Sequence, residues 1–218
     1  MKKGLTELVF ILDKSGSMGG LEKDTIGGYN SMLEKQRAVD GEAVITTVLF
    51  DNGYELLHDR IDVKATRPIT EKEYHVGGST ALIDAIGRTI HKTDNAQKNT
   101  AKDYRAEKVL FIIITDGEEN ASREYSAQKV KAMIEQQKNK YGWEFIFLGA
   151  NIDAVETAER FGIAPDRAQS YHSDSAGTEL NYQVLSKTVA TFRETAAMPA
   201  QWSEEIAADF KKRGGKLS

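Results

Sequence analysis

The chain has 218 residues, a net charge of −4 and no cysteine. That length suits one larger α/β domain with an adequate core. The charge supplies no basic field for nucleic acid, and without thiols neither a disulfide framework nor a thiolate metal site can form. A cysteine-free chain fits a reducing compartment. Met1-Lys2-Lys3 precedes an apolar run too short for a secretory signal or a membrane span, so the expected setting is cytoplasmic with no membrane partner.

In chain order, the apolar run from Glu7 to Leu12 reads as the first strand. Leu21 to Arg37 follows as a helix, with Leu21, Ile26, Tyr29, Met32 and Leu33 forming a partial apolar face. Ala43 to Phe50 is the second strand. Asp51-Asn52-Gly53 makes a hairpin-type turn into Tyr54 to Asp59, which places an antiparallel strand at one edge. From Ile61 to Tyr74 the chain is polar and irregular, broken by Pro68. A helix covers Leu82 to Thr93, with a possible extension through Asp94 to Tyr104, and a fourth strand covers Lys108 to Ile114.

Ser126 to Lys138 is helical, Trp143 to Leu148 is the fifth strand, and Ala154 to Phe161 is a short helix stopped by Gly162. Ala168 to Tyr171 is a sixth strand, and a helix from Gly177 to Thr195 ends before Met198-Pro199. Such alternation implies a doubly wound, mostly parallel six-stranded sheet with helices on both faces. Trp202, Ile206 and Phe210 recur at a helical spacing and precede the basic residues Lys211, Lys212, Arg213 and Lys216. This tail reads either as a docked amphipathic helix or as a partner-binding segment.

Three strand ends carry oxygen chemistry. Asp13-Lys14-Ser15-Gly16-Ser17 leaves the first strand, Thr115-Asp116-Gly117 leaves the fourth, and Gly77-Gly78-Ser79-Thr80 leads into a helix. Ligands of open α/β sheets bind at the carboxyl ends of the strands. Hard divalent cations choose oxygen, so carboxylates and hydroxyls delivered to one edge point to a metal such as Mg²⁺.

On these motifs the chain resembles the von Willebrand factor A (vWA) domain family, whose Rossmann-like fold carries a metal-ion-dependent adhesion site. Asp13, Ser15 and Ser17 match its Asp-x-Ser-x-Ser motif, Thr80 its distant threonine and Asp116 its distant aspartate. The resemblance implies a domain over residues 1–197, with 198–218 a helical or flexible C-terminal extension. It implies a non-enzymatic, metal-dependent protein-recognition module: Mg²⁺, or else Mn²⁺ or Ca²⁺, takes a Glu or Asp carboxylate from a partner. Intracellular bacterial members suggest an AAA+ ATPase or a stress-response complex as that partner, and a stand-alone tellurium-resistance-like protein as the nearest type.

Other function classes fit less well. An aspartate-nucleophile phosphotransferase of the haloacid-dehalogenase kind is the alternative, but Ser15 stands where its second acid belongs. No phosphate-binding Gly-x-x-x-x-Gly-Lys loop exists. A scaffold with an unused site is a third class, against which the intact set of five residues argues. Glu118 and Glu119 are either metal modulators or a general base, or else acids favoured at a helix start. Asn151 and Asp153, after the fifth strand, also lie at the ligand edge and read either as site residues or as turn and cap residues. Met18-Gly19-Gly20 reads as a tight glycine turn into the first helix, with Met18 a candidate apolar contact to a partner. His58, His75, His91 and His172 lack metal-ligand spacing and read as surface or satisfied histidines.

Overall fold

The computed structural model describes residues 1–215; Lys216 of the basic tail lies outside them. Six strands form one sheet: β1 (Lys2–Asp13), β2 (Ala43–Phe50), β3 (Tyr54–Asp62), β4 (Ala106–Thr115), β5 (Glu144–Ala150) and β6 (Ala168–Tyr171). Their order is β3-β2-β1-β4-β5-β6, and every pairing is parallel except the β2–β3 hairpin at one edge. The helices are α1 (Glu22–Arg37), α2 (Leu82–Asn99), α3 (Ala127–Tyr141), α4 (Ala154–Arg160), α5 (Ser175–Thr195) and α6 (Glu204–Lys212).

Residues 8–12 of β1 and 109–114 of β4 are unbroken apolar stretches because both faces are buried there, whereas β1 itself begins at Lys2, five residues before the start its apolar run suggests. Alternate residues of β1 point to opposite sides. Leu8, Phe10 and Leu12 join Tyr29 and Met32 of α1 with Leu185 and Phe192 of α5, while Val9 and Ile11 join Ile86 and Ile90 of α2 with Val130 and Ile134 of α3. At roughly 25 cal/mol per Å² of apolar surface removed from water, these two layers are the main stabilising term.

Several boundaries differ from the sequence reading. β3 runs on to Asp62 because irregularities near Thr47 and a left-handed Arg60 (φ 51°) let the edge strand bend and keep pairing. The segment after it is irregular but anchored, with Val63, Ile69 and Tyr74 buried. α2 stops at Asn99 and a separate single turn covers Lys102–Tyr104, so the helix does not continue to Tyr104. Gln97 in its last turn is buried, donating to the fully buried Glu7, which also meets Arg60 at 3.2 Å. Met18 is 2% exposed, which corrects the reading of it as a partner contact.

The tail is docked. Trp202 and Ile206 are buried in the α1–α5 layer, and Trp202 Nε1 donates to the Asp166 carbonyl at 2.8 Å. Trp202 precedes α6 rather than lying on it, so the apolar spacing spans a turn and a helix. Among the described residues no helix is long and apolar enough to cross a membrane.

Candidate metal centre

The chain leaves β1 towards β2 on one side and later returns to β4 on the other, which opens a crevice at the carboxyl ends of β1 and β4. Leu12 pairs with Ile114, so Asp13 stands beside the end of β4 and Asp116 follows two residues on. The Gly77-Gly78 loop is latched to the β1 loop: Gly77 N donates to the Lys14 carbonyl at 3.0 Å and Gly16 N to the Gly78 carbonyl at 3.1 Å. Gly78 has φ +75°, and a Cβ there would lie 2.2 Å from Asn52 Oδ1, so only glycine fits this latch. Thr80 is then fixed by Asn120, whose side chain accepts from Thr80 N at 2.9 Å and whose N–H donates to the Thr80 carbonyl at 3.0 Å.

These constraints bring all five motif residues together. The Ser15 and Ser17 hydroxyls are 3.0 Å apart. A Cβ built on Gly117 would sit 3.0 Å from Ser17 Oγ and 3.5 Å from Thr80 Oγ1, so both hydroxyls converge where glycine leaves room. Asp13 and Asp116 are each 1% exposed. Asp13 accepts from Ser15 N at 2.7 Å through Oδ1 and from the Thr115 hydroxyl at 2.6 Å through Oδ2. Asp116 accepts from the Ser173 hydroxyl at 3.0 Å through Oδ2, and its Oδ1 is buried with no hydrogen-bond partner.

Burial pushes the pKa of both carboxyls up. For Asp13 the Ser15 and Thr115 hydroxyls act against burial and the charge of Asp116 adds to it; for Asp116 the Ser17 and Ser173 hydroxyls oppose it. Among the described residues neither carboxylate has an ion-pair partner, because Lys14, the nearest cation in sequence, reaches away to Glu55 at 2.9 Å. Two buried acids, one orphaned oxygen and three neighbouring hydroxyls form a donor set suited to a hard divalent cation. No three His, Cys, Asp or Glu side chains group around a possible metal among the described residues, so hydroxyls have to supply the rest of this set.

No protein-family model matches the chain, and no curated protein does. Solved structures do. A von Willebrand factor type A protein from Catenulispora acidiphila superposes with a TM-score of 0.57 at 15% identity, over 85% of this chain and 42% of that one. The chain has a vWA fold. The manganese-loaded TRAP protein of Plasmodium vivax (TM-score 0.56, 19% identity, 83% and 73% covered) shares it. So does the ArnB paralog VWA2 from Sulfolobus acidocaldarius (0.51, 19%, 87% and 45%). The chain spans less than half the length of the Catenulispora and Sulfolobus structures.

Around the vWA core, several residues hold the centre without belonging to the motifs. The Tyr74 hydroxyl donates to the Asp13 carbonyl, and Tyr171 reaches the Thr115 carbonyl at 3.4 Å. Asn151, left-handed at φ 56°, donates to the Asp116 carbonyl at 3.2 Å, a role beyond the turn chemistry read from sequence. Asp153 caps α4 through Glu156 N at 2.9 Å. Glu119 is structural, accepting from Ile83 N at the start of α2 and from Ala121 N and Ser122 N, whereas Glu118 is exposed. His58 and His172 are satisfied by Thr47 and the Phe210 carbonyl, His91 meets Asn95, and His75 is exposed. Ser173 and Thr115 escaped sequence reasoning; a hydroxyl flanking a strand end carries no pattern, although Thr115 directly preceding Asp116 is a weak signal.

Proposed function

We propose that Asp13, Ser15, Ser17, Thr80 and Asp116 hold a divalent cation, Mg²⁺ or Mn²⁺, and that the chain is a non-catalytic protein-recognition module. The observation that carries this reading is the pair of buried carboxylates without an ion-pair partner, facing three hydroxyls. A cation bound there offsets the burial cost of both acids and, with an open coordination position, accepts a Glu or Asp carboxylate from a partner. Asp13 orients the Ser15 loop through its backbone N–H, Ser17 and Thr80 present hydroxyls, and Asp116 presents its free Oδ1. The manganese-loaded structural neighbour supports the choice of metal class. A cytoplasmic setting with an AAA+ ATPase or stress-response partner belongs to the same proposal.

The phosphotransferase alternative is disfavoured by Ser15, a hydroxyl 3.0 Å from Ser17 Oγ where that chemistry needs a second carboxyl as general acid and base. The test of the proposal is a Mn²⁺ titration of the wild type, Thr80→Ala and Asp116→Ala, with and without a Glu-containing peptide. Saturable binding in the wild type, strengthened by the peptide and lost in both variants, is expected. Equal binding by all three proteins, or none by any, overturns it.

A further inference from the structure

Ser173 lies in the loop between β6 and α5, outside every motif. Its hydroxyl donates to Oδ2 of Asp116 across 3.0 Å, while Oδ1 of the same carboxylate stays without a partner. Ser173 fixes Oδ2 of a carboxyl on which the Ser17 hydroxyl also acts, so Ser173 sets how Asp116 meets the Ser17 and Thr80 hydroxyls. The residues on either side of Ser173 are pinned by α6. His172 Nε2 is 3.1 Å from the Phe210 carbonyl, and the two rings pack with centroids 4.7 Å apart. Asp174 caps α5 through Gly177 N at 2.8 Å and pairs with the Arg213 guanidinium just past the end of α6. Three consecutive residues thus touch the C-terminal helix, the candidate centre and the C-terminal helix again.

We propose that Ser173 is a positioning residue for Asp116 and that Phe210 and Arg213 hold it in place, so that cation affinity depends on a helix remote from the motifs in sequence. This rests on the reading of Asp116 as a cation ligand. The effect is local to the end of α6: the Lys187–Glu205 pair, at 2.8 Å, joins α5 to α6 without touching the Ser173 loop and serves as a control.

The test uses the full chain as wild type, Ser173→Ala, Ser173→Thr, Arg213→Ala and Lys187→Ala. Mn²⁺ affinity is read by electron paramagnetic resonance, and amide hydrogen exchange of residues 116–118 and 172–175 is read in metal-free protein. Loss of an outer-shell hydrogen bond predicts about tenfold weaker Mn²⁺ binding in Ser173→Ala, restored by Ser173→Thr. Loss of a half-exposed ion pair predicts about threefold weaker binding in Arg213→Ala. Lys187→Ala is expected to bind as the wild type does. Exchange in both segments speeds up in Ser173→Ala and Arg213→Ala alone. Unchanged affinity in Ser173→Ala overturns the role of Ser173, and unchanged affinity in Arg213→Ala overturns that of α6. Should the wild type bind no Mn²⁺, the cation reading fails, and the exchange data alone decide: faster exchange at 116–118 in Ser173→Ala upholds the positioning role, and unchanged exchange overturns it.

Discussion

Replacing Gly117 by alanine puts a methyl carbon 3.0 Å from Ser17 Oγ and 3.5 Å from Thr80 Oγ1, in the space where the candidate ligands converge. Gly117 is not in the left-handed region, so the backbone accepts alanine without strain. Ser17 is exposed and can give by the few tenths of an ångström required. Reduced chain entropy in the unfolded state roughly offsets that shift, and metal-free stability should change by less than about 1 kcal/mol. The cation site is less forgiving, because Mg²⁺ demands near-ideal geometry with oxygens at about 2.1 Å. A wild-type site at a hundredfold excess over its Kd gains about 2.7 kcal/mol from the metal. For a chain of this size that is a rise in Tm of about 5–10 °C. Melting curves with EDTA and with graded Mg²⁺ should therefore show Gly117→Ala folded, near the wild-type metal-free Tm, and without the metal-dependent rise. A Mg²⁺ response in Gly117→Ala superimposable on the wild type would refute the placement of the cation between these hydroxyls.

Further outcomes follow from the same structure. Burial first, and for Asp13 the charge of Asp116 as well, raise both carboxyls above the ordinary 3.8, so each binds its proton more tightly when folded. Their contribution is therefore greatest below that value and is lost as pH rises through the raised folded pKa; urea melts of metal-free wild type against Asp116→Asn should diverge in that direction, and saturating Mg²⁺ should stabilise the wild type alone. Trp202→Ala vacates a buried indole and its bond to Asp166, which is expected to cost about 3 kcal/mol; an unchanged urea midpoint would mean the tail is not docked. At Gly28 an added Cβ would meet the Tyr182 ring at 2.3 Å, so Gly28→Ala should lose about 1–3 kcal/mol by overpacking between α1 and α5. Retained stability there would show that Tyr182 has room to turn. Glu119→Ala strips three backbone N–H groups of their acceptor and should lower stability by about 2 kcal/mol, read by the same melts.

Much of the architecture was legible in the chain because burial writes itself into composition. Residues 8–12 of β1 and 109–114 of β4, covered on both faces, are continuous apolar runs, and β2 and β6 have the bounds their residues suggest. The sequence pattern ends the edge strand β3 at Asp59 because its outer half mixes in charged residues, and only pairing with β2 carries it to Asp62. At the candidate centre, Asp13, Ser15 and Ser17 are neighbours along one loop, so their spacing is a local property of the sequence. That Asp116 and Thr80 reach the same point depends on β4 lying beside β1 and on the Gly77-Gly78 latch, which the motif order suggested and the register of Leu12 with Ile114 established. Ser173 had no such signal. It lies 57 residues from Asp116, and a lone serine in a polar loop looks like any other until the strand order sets the end of β6 near the end of β4. Local spacing is set by covalent neighbours and can be read in one dimension, whereas a hydrogen bond between distant loops exists only once the sheet has closed the distance.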